Sequence, residues 1–197
     1  LGIGAAIIQN KELQQKDLNQ LFSFTVWSGC ILTLLFFLCS WPISLFYKEP
    51  SMKTITQLLA INLFFASANI VPNALLYKAK AFKFLAWRSL GVQVSGGIIA
   101  ILAALGGAGL YALIINPILS SILLFIISYQ KYPQTLEMTW GIPSIRKIFK
   151  FSAYQFMFNI INYFSRNLDK LLIGKYMGMS PLGYYEKSYR LMMLPLQ

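Results

Sequence analysis

A chain of 197 residues of which 57% are hydrophobic and 12% charged, with a mean hydropathy of +0.59, has the composition of a multi-span membrane protein and excludes an ordinary soluble domain. Seventeen Lys and Arg against six Asp and Glu leave a net charge of +11, yet the basic residues sit in short connectors between apolar runs, which excludes the continuous basic face of a nucleic-acid binder. Histidine is missing altogether, so neither a metal site nor a cofactor is expected.

Residues 1–8 read as the tail of a span and 9–19 as a polar connector. The next span covers 21–46, with no charge between Asp17 and Lys48. Trp41 and Pro42 suit an interfacial aromatic followed by a kink, and the short turn 47–53 makes the following span antiparallel. Cys30 and Cys39 fall on opposite sides of the same helix, too far round it to bridge. The span at 54–77 carries Asn62, Asn69 and Asn73 at spacings of seven and four, which puts three amides on one face of a straight helix. Two readings stay open for them: a secondary cavity face, or interhelical hydrogen bonds that also relieve the backbone groups freed by Pro72.

Residues 78–88, KAKAFKFLAWR, hold four basic residues, no acid, and aromatics between them, which predicts a loop at a membrane surface against anionic lipid. No charge follows from Ser89 to Gln130, too long for one span. Gly106, Gly107 and Gly109 divide it into helices at 89–105 and 110–129, and Gly91, Ser95, Gly96 and Gly97 are expected where the first packs closely on a neighbour. Residues 131–150, broken by Pro133, Gly141 and Pro143, read as a linker between bundles; its end, 145–151, has the pattern of an interfacial segment.

The stretch 151–173 is long enough to cross a bilayer at about 1.5 Å per residue, and it is charged. At about 100° per residue, Ser152, Gln155, Asn159, Asn162, Arg166, Asp169 and Lys170 share an arc about 100° wide, while Ile160, Ile161, Phe164, Leu168 and Leu172 lie away from it. Charges at that depth must face protein or water. The stripe therefore lines a polar cavity or serves as helix–helix glue. Within it, Asp169 either neutralises Arg166, leaving Lys170 as the free cation, or binds a coupling ion. Beyond it, Glu186 and Arg190 form an i,i+4 pair on the next helix, on a face continued by Met193 and Gln197.

Connectors 9–20, 78–88 and 131–150 hold ten Lys and Arg; 47–53 and 106–109 hold two. That asymmetry places the first set in the cytoplasm and runs the striped helix outward. The opening on Leu1 and the stop at Gln197 inside an apolar run predict a piece of something longer.

The stretches NYFSRNLDKLLIGKYMG (162–178) and LGYYEKSYRLMMLPLQ (182–197), with GAAIIQ (4–9), DLN (17–19) and VPNALL (71–76), resemble the polysaccharide transporters of the MOP superfamily, the Wzx-type flippases and colanic-acid-exporter-like proteins. The resemblance implies an all-α, polytopic membrane helix bundle of two lobes around a central cavity. By that pattern, residues 1–130 belong to the N-terminal lobe, from the end of helix two to helix six. Residues 131–150 are the interlobe cytoplasmic loop, and 151–197 open the C-terminal lobe. It further implies export of undecaprenyl-pyrophosphate-linked oligosaccharide across the bacterial inner membrane for O-antigen, capsule or exopolysaccharide, among membrane lipids and other polysaccharide assembly proteins. Cavity-lining candidates are Gln155, Asn159, Asn162, Arg166, Asp169, Lys170 and Arg190, with Asp169 also the candidate for ion coupling. The rival readings are a multidrug-type exporter of the same superfamily, a membrane-embedded polymerase, ligase or glycosyltransferase, and an assembly scaffold.

Overall fold

A computed structural model describes residues 2–10, 12–137 and 142–193, and among these the regular structure is entirely helical. The helices are α1 (Ile3–Gln9), α2 (Gln15–Tyr47), α3 (Ser51–Ala68), α4 (Ile70–Lys78), α5 (Phe82–Leu105), α6 (Ala112–Lys131), α7 (Ile142–Tyr176) and α8 (Met179–Met193), with a single 3₁₀ turn at Gly109–Tyr111. Three stretches are long and apolar enough to cross a membrane: Gln15–Tyr47, Phe82–Leu105 and Gly109–Lys131. The pair α3 and α4 makes a fourth if taken as one broken span. The all-α membrane bundle expected from the sequence is thus what forms.

α2 begins with a reciprocal cap in which the Gln14 backbone N–H donates to Asp17 Oδ2 (3.1 Å), and it runs unbroken through Pro42 to a left-handed Lys48. Cys30 and Cys39 are free and exposed on it, as their spacing predicts. α2 and α3 then lie side by side. A Cβ added at Gly29 would stand 2.8 Å from the Ser67 Cβ, an atom fixed by its own backbone. Helices in lipid gain nothing from hydrophobic association, so a close approach of small residues carries the contact. Gly29→Leu should therefore cost about 2 kcal/mol by overpacking, read as a lowered Tm of the purified full-length protein, whereas Gly91→Ala, with no atom within 4 Å, should leave Tm unchanged.

The 54–77 span is not straight. It bends by 41° between α3 and α4 at Asn69, because Pro72 has no N–H to donate to the carbonyl one turn back. The bend falls between Asn62 on α3 and Asn73 on α4. The 78–88 segment also differs from expectation: only residues 79–81 form a turn, with Lys80 left-handed, and α5 already begins at Phe82. Arg88 is therefore helical and buried rather than at a lipid surface. Of the small residues on α5, Gly96 packs against Asn116 and Ser120 of α6, while Gly91 and Gly97 meet nothing.

Contacts between connectors sort the helix ends onto two sides. Lys78 Nζ donates to the Asn10 carbonyl (2.7 Å), Gln15 Nε2 to Gln134 Oε1 (3.1 Å), and the Glu137 N–H to Ser23 Oγ (2.7 Å). The connectors rich in Lys and Arg thus meet at one end of the bundle, here the basic end. The main core lies there too: Ile3, Ile7, Leu18, Leu21, Phe22, Val71 and Ile148 are buried together. Ile148 places 145–151 against this core. That segment forms the first turns of α7, which starts at Ile142 inside the segment read as a linker and continues without a break to Tyr176.

Candidate functional site

α7 runs parallel to α2. Its start joins the core at the basic end through Ile148, with Ile145 packed alongside. Its far end returns to the end of α2, where a Cβ on Gly174 would lie 2.9 Å from the Tyr47 ring and 3.2 Å from Leu182 of α8. Lys175 Nζ caps the Phe46 carbonyl (3.0 Å) and sits 4.1 Å from the Phe46 ring centroid. Between these points α1 touches α7 where a Cβ on Gly2 would meet the Gln155 Cβ at 2.7 Å and the Ser152 carbonyl at 3.0 Å. On a helical projection Ile145, Ile148, Ser152, Gln155 and Gly174 all fall within about 60° of Asn159. The arc that bears the polar stripe is therefore the arc that faces α1 and α2.

Asn159 and Arg166, near the centre of that arc, are exposed, and Asn162 is half-buried. Gln155 Nε2 donates to Asn159 Oδ1 (3.2 Å), so the two amides present a linked row of donors and acceptors. At the basic end the row borders an apolar cleft of about 290 Å³ between α1, α2 and α7, lined by residues such as Leu21, Phe24, Ile148, Phe156 and Met157.

The charged third of the stripe is organised by α8, which folds back antiparallel after Gly178 (φ 90°). The Tyr185 hydroxyl donates to Asp169 Oδ2, and the Lys170 N–H donates to Asp169 Oδ1 (2.8 Å). Lys170 Nζ lies 2.8 Å from Glu186 Oε2 and 5.1 Å from the Tyr189 ring centroid; Tyr189 stacks on Tyr185. Arg190 reaches Glu186 from an exposed position at 3.5 Å. Met193 carries no described side chain and Gln197 lies outside the described residues.

This corrects the pairing expected from sequence. Asp169 is bonded to Tyr185 and not to Arg166, and Lys170 is not the free cation because Glu186 holds it. Arg166 has no partner among the described residues and is the stripe's uncompensated charge. Sequence reasoning left Tyr185, Glu186 and Tyr189 off the site. A signal was there: Lys170 and Glu186 stand eight residues either side of Gly178, as an antiparallel hairpin turning there requires.

Asn73 lines a small pocket with Gly4, Ile8, Ile70, Ala74 and Tyr77, whose lining does not include Asn62 or Asn69. Arg88 Nη2 donates to Asn73 Oδ1 (2.9 Å) and Nη1 to Ser128 Oγ of α6, locking α4, α5 and α6 together. Asn69 Oδ1 is buried at the bend with no partner, and Asn62 is half-buried on α3. The hydrogen-bonded glue reading fits Asn73.

No group of His, Cys, Asp or Glu able to hold a metal occurs among the described residues. The family model described as "Polysaccharide biosynthesis protein" matches residues 1–197. Three curated relatives are similar along nearly the whole chain. The teichuronic acid biosynthesis protein TuaB of Bacillus subtilis is 26% identical over 100% of the chain and 41% of its own length. The lipopolysaccharide biosynthesis protein WzxC of Escherichia coli is 22% identical over 98% and 40%, and the amylovoran biosynthesis protein AmsL of Erwinia amylovora 24% over 97% and 50%. The chain spans between two fifths and one half of the length of these relatives. No solved structure matches it. With a family model covering every residue and a helix bundle built for a bilayer, the chain belongs to the polysaccharide biosynthesis protein family, as a membrane-embedded member.

Proposed function

We propose that this chain supplies one side of the path by which a flippase carries undecaprenyl-pyrophosphate-linked oligosaccharide from the inner to the outer leaflet of a bacterial cytoplasmic membrane, for O-antigen, capsule or exopolysaccharide assembly. The observation that carries the reading is the unpartnered Arg166 on the arc of α7 that faces α1 and α2. Residues 1–130 form one wall, α7 and α8 the other, and the stretch between Lys131 and Ile142 the cytoplasmic connection between lobes. A pyrophosphate must cross a low-dielectric zone, and a fixed guanidinium there offsets part of its desolvation and offers forked donors to phosphate oxygens. Gln155, Asn159 and Asn162 suit sugar hydroxyls because amides both donate and accept. Asp169 is the candidate ion-coupling acid, with the Tyr185 hydroxyl as the group that would shield or release it.

A net-positive face suits an anionic cargo better than the cations of a multidrug-type exporter. The enzyme reading is the weaker one: the acids of the hairpin, Asp169 and Glu186, are both engaged by neighbours instead of being poised toward the gap as a base or nucleophile. Deleting the full-length gene in its host tests the proposal. Lipid-linked oligosaccharide should accumulate on the inner leaflet while surface polysaccharide disappears. Loss of polysaccharide with the repeat unit already on the outer leaflet would indicate a polymerase or ligase instead.

A further inference from the structure

One face of α5 has nothing against it among the described residues. Lys83, Trp87, Leu90 and Val94 follow one another at helical spacing, and Trp87 is 67% exposed, whereas Leu85, Arg88, Val92 and Gly96 on the other side are buried. Lys83 is exposed at the head of this row, beside the left-handed Lys80, which is also exposed, and Phe82. One turn further in, a crevice of about 280 Å³ is lined by Ala86, Trp87 and Leu90. Sequence supplies no carboxylate here, since no Asp or Glu occurs between Glu49 and Glu137. The neighbouring cations are occupied: Lys78 by the Asn10 carbonyl, Arg88 by Asn73 and Ser128, and Lys131 over the Phe84 ring at 5.9 Å. Lys80 and Lys83 remain available above an apolar crevice that begins one turn below them.

We infer that this face is a binding site for one anionic phospholipid of the surrounding bilayer, its headgroup phosphate on Lys80 and Lys83 and an acyl chain in the crevice beside Trp87. The spacing matches an amphiphile. Ammonium groups stand at headgroup height, an indole marks the boundary where such rings concentrate, and an aliphatic row continues down the helix as Leu90 and Val94. A zwitterionic lipid would fill the same crevice but would set its own cation beside two lysines. The site is therefore selective for charge. It rests on the membrane setting of α5 and not on the cargo assigned to α7.

The test is quenching of Trp87 in the full-length protein, reconstituted into phosphatidylethanolamine vesicles with a minor fraction of brominated phosphatidylglycerol or, in a parallel sample, brominated phosphatidylcholine. Subtracting a Trp87→Phe sample isolates the Trp87 emission, and so exposed an indole tolerates the change. Brominated phosphatidylglycerol should associate about 25-fold more strongly than the phosphatidylcholine, about fivefold for each lysine, and Lys80→Gln with Lys83→Gln should remove the preference. Native mass spectrometry of the wild-type protein should retain phosphatidylglycerol that the double variant loses. Equal quenching by the two lipids in the wild type would overturn the charge selectivity. No quenching by either would show the face covered by protein and end the proposal.

Discussion

Arg166→Gln should lower export about a hundredfold or more while leaving the amount of protein in the membrane unchanged. The size follows from losing two charge-assisted hydrogen bonds to phosphate, each worth roughly 1.5 to 3 kcal/mol. Protein level should hold because Arg166 has no partner among the described residues to strand when it is removed. Lys170 behaves differently. Lys170→Met strands Glu186, with only the distant and exposed Arg190 left to it, so export should fall through a distorted α7–α8 hairpin. Lys170→Met combined with Glu186→Met removes both charges and should recover much of the activity. Asp169→Asn with Arg166→Gln should show no mutual rescue, since the two are not paired. If Lys170 contacted the cargo instead, the Lys170/Glu186 double variant would stay inactive and Arg166→Gln would export; transport assays with matched membrane levels distinguish the outcomes.

The largest effect on stability is expected at Arg88. Its guanidinium is buried with no carboxylate, held by Asn73 and Ser128, with its Nε atom unpartnered. Asn73→Leu would leave a buried cation short of an acceptor, at a cost of about 3 kcal/mol. Arg88→Met is milder because the charge leaves with its donors, and it frees an Asn73 amide that lipid-side water can reach only poorly. The double variant, apolar on both sides of the contact, should be more stable than Asn73→Leu alone. Thermal unfolding of the purified full-length protein measures all three. Additive losses in the double variant would mean that Arg88 and Asn73 do not depend on each other.

The spans of α2, α5 and α6 were legible because long runs without charge, ended by Lys48, Gly106 and Lys131, leave a bilayer-length helix as the simple solution. The same habit of thought hid Arg88. A basic residue among aromatics reads as connector, and only the lack of any Gly or Pro between Phe82 and Ser89 hints that the helix starts two turns earlier. The periodic stripe on α7 was also legible, since periodicity is a property of one helix. Its pairing was not. Whether Asp169 meets Arg166 or Tyr185 depends on where α8 returns, and i,i+3 spacing along one helix says nothing of a neighbour that competes for the same oxygen. On α3 and α4 the asparagine spacing likewise says nothing of Arg88, fifteen residues beyond Asn73 on another helix, which takes the Asn73 amide oxygen.

The central claim is that the polar arc of α7 lines a water-filled path. Cysteines placed one at a time at Asn159, Asn162 and Arg166, in the full-length protein with Cys30, Cys39 and any other native cysteines replaced, test it through their reaction with a small water-soluble thiol reagent in native membranes. Controls at Ile161, Phe164 and Leu168 are informative because these side chains are 65%, 52% and 54% exposed, so no packing within this chain hides them. The account predicts rapid labelling of the first three and little of the second. Protection of both sets, or equal labelling of both, would contradict it and return the stripe to the role of interhelical glue.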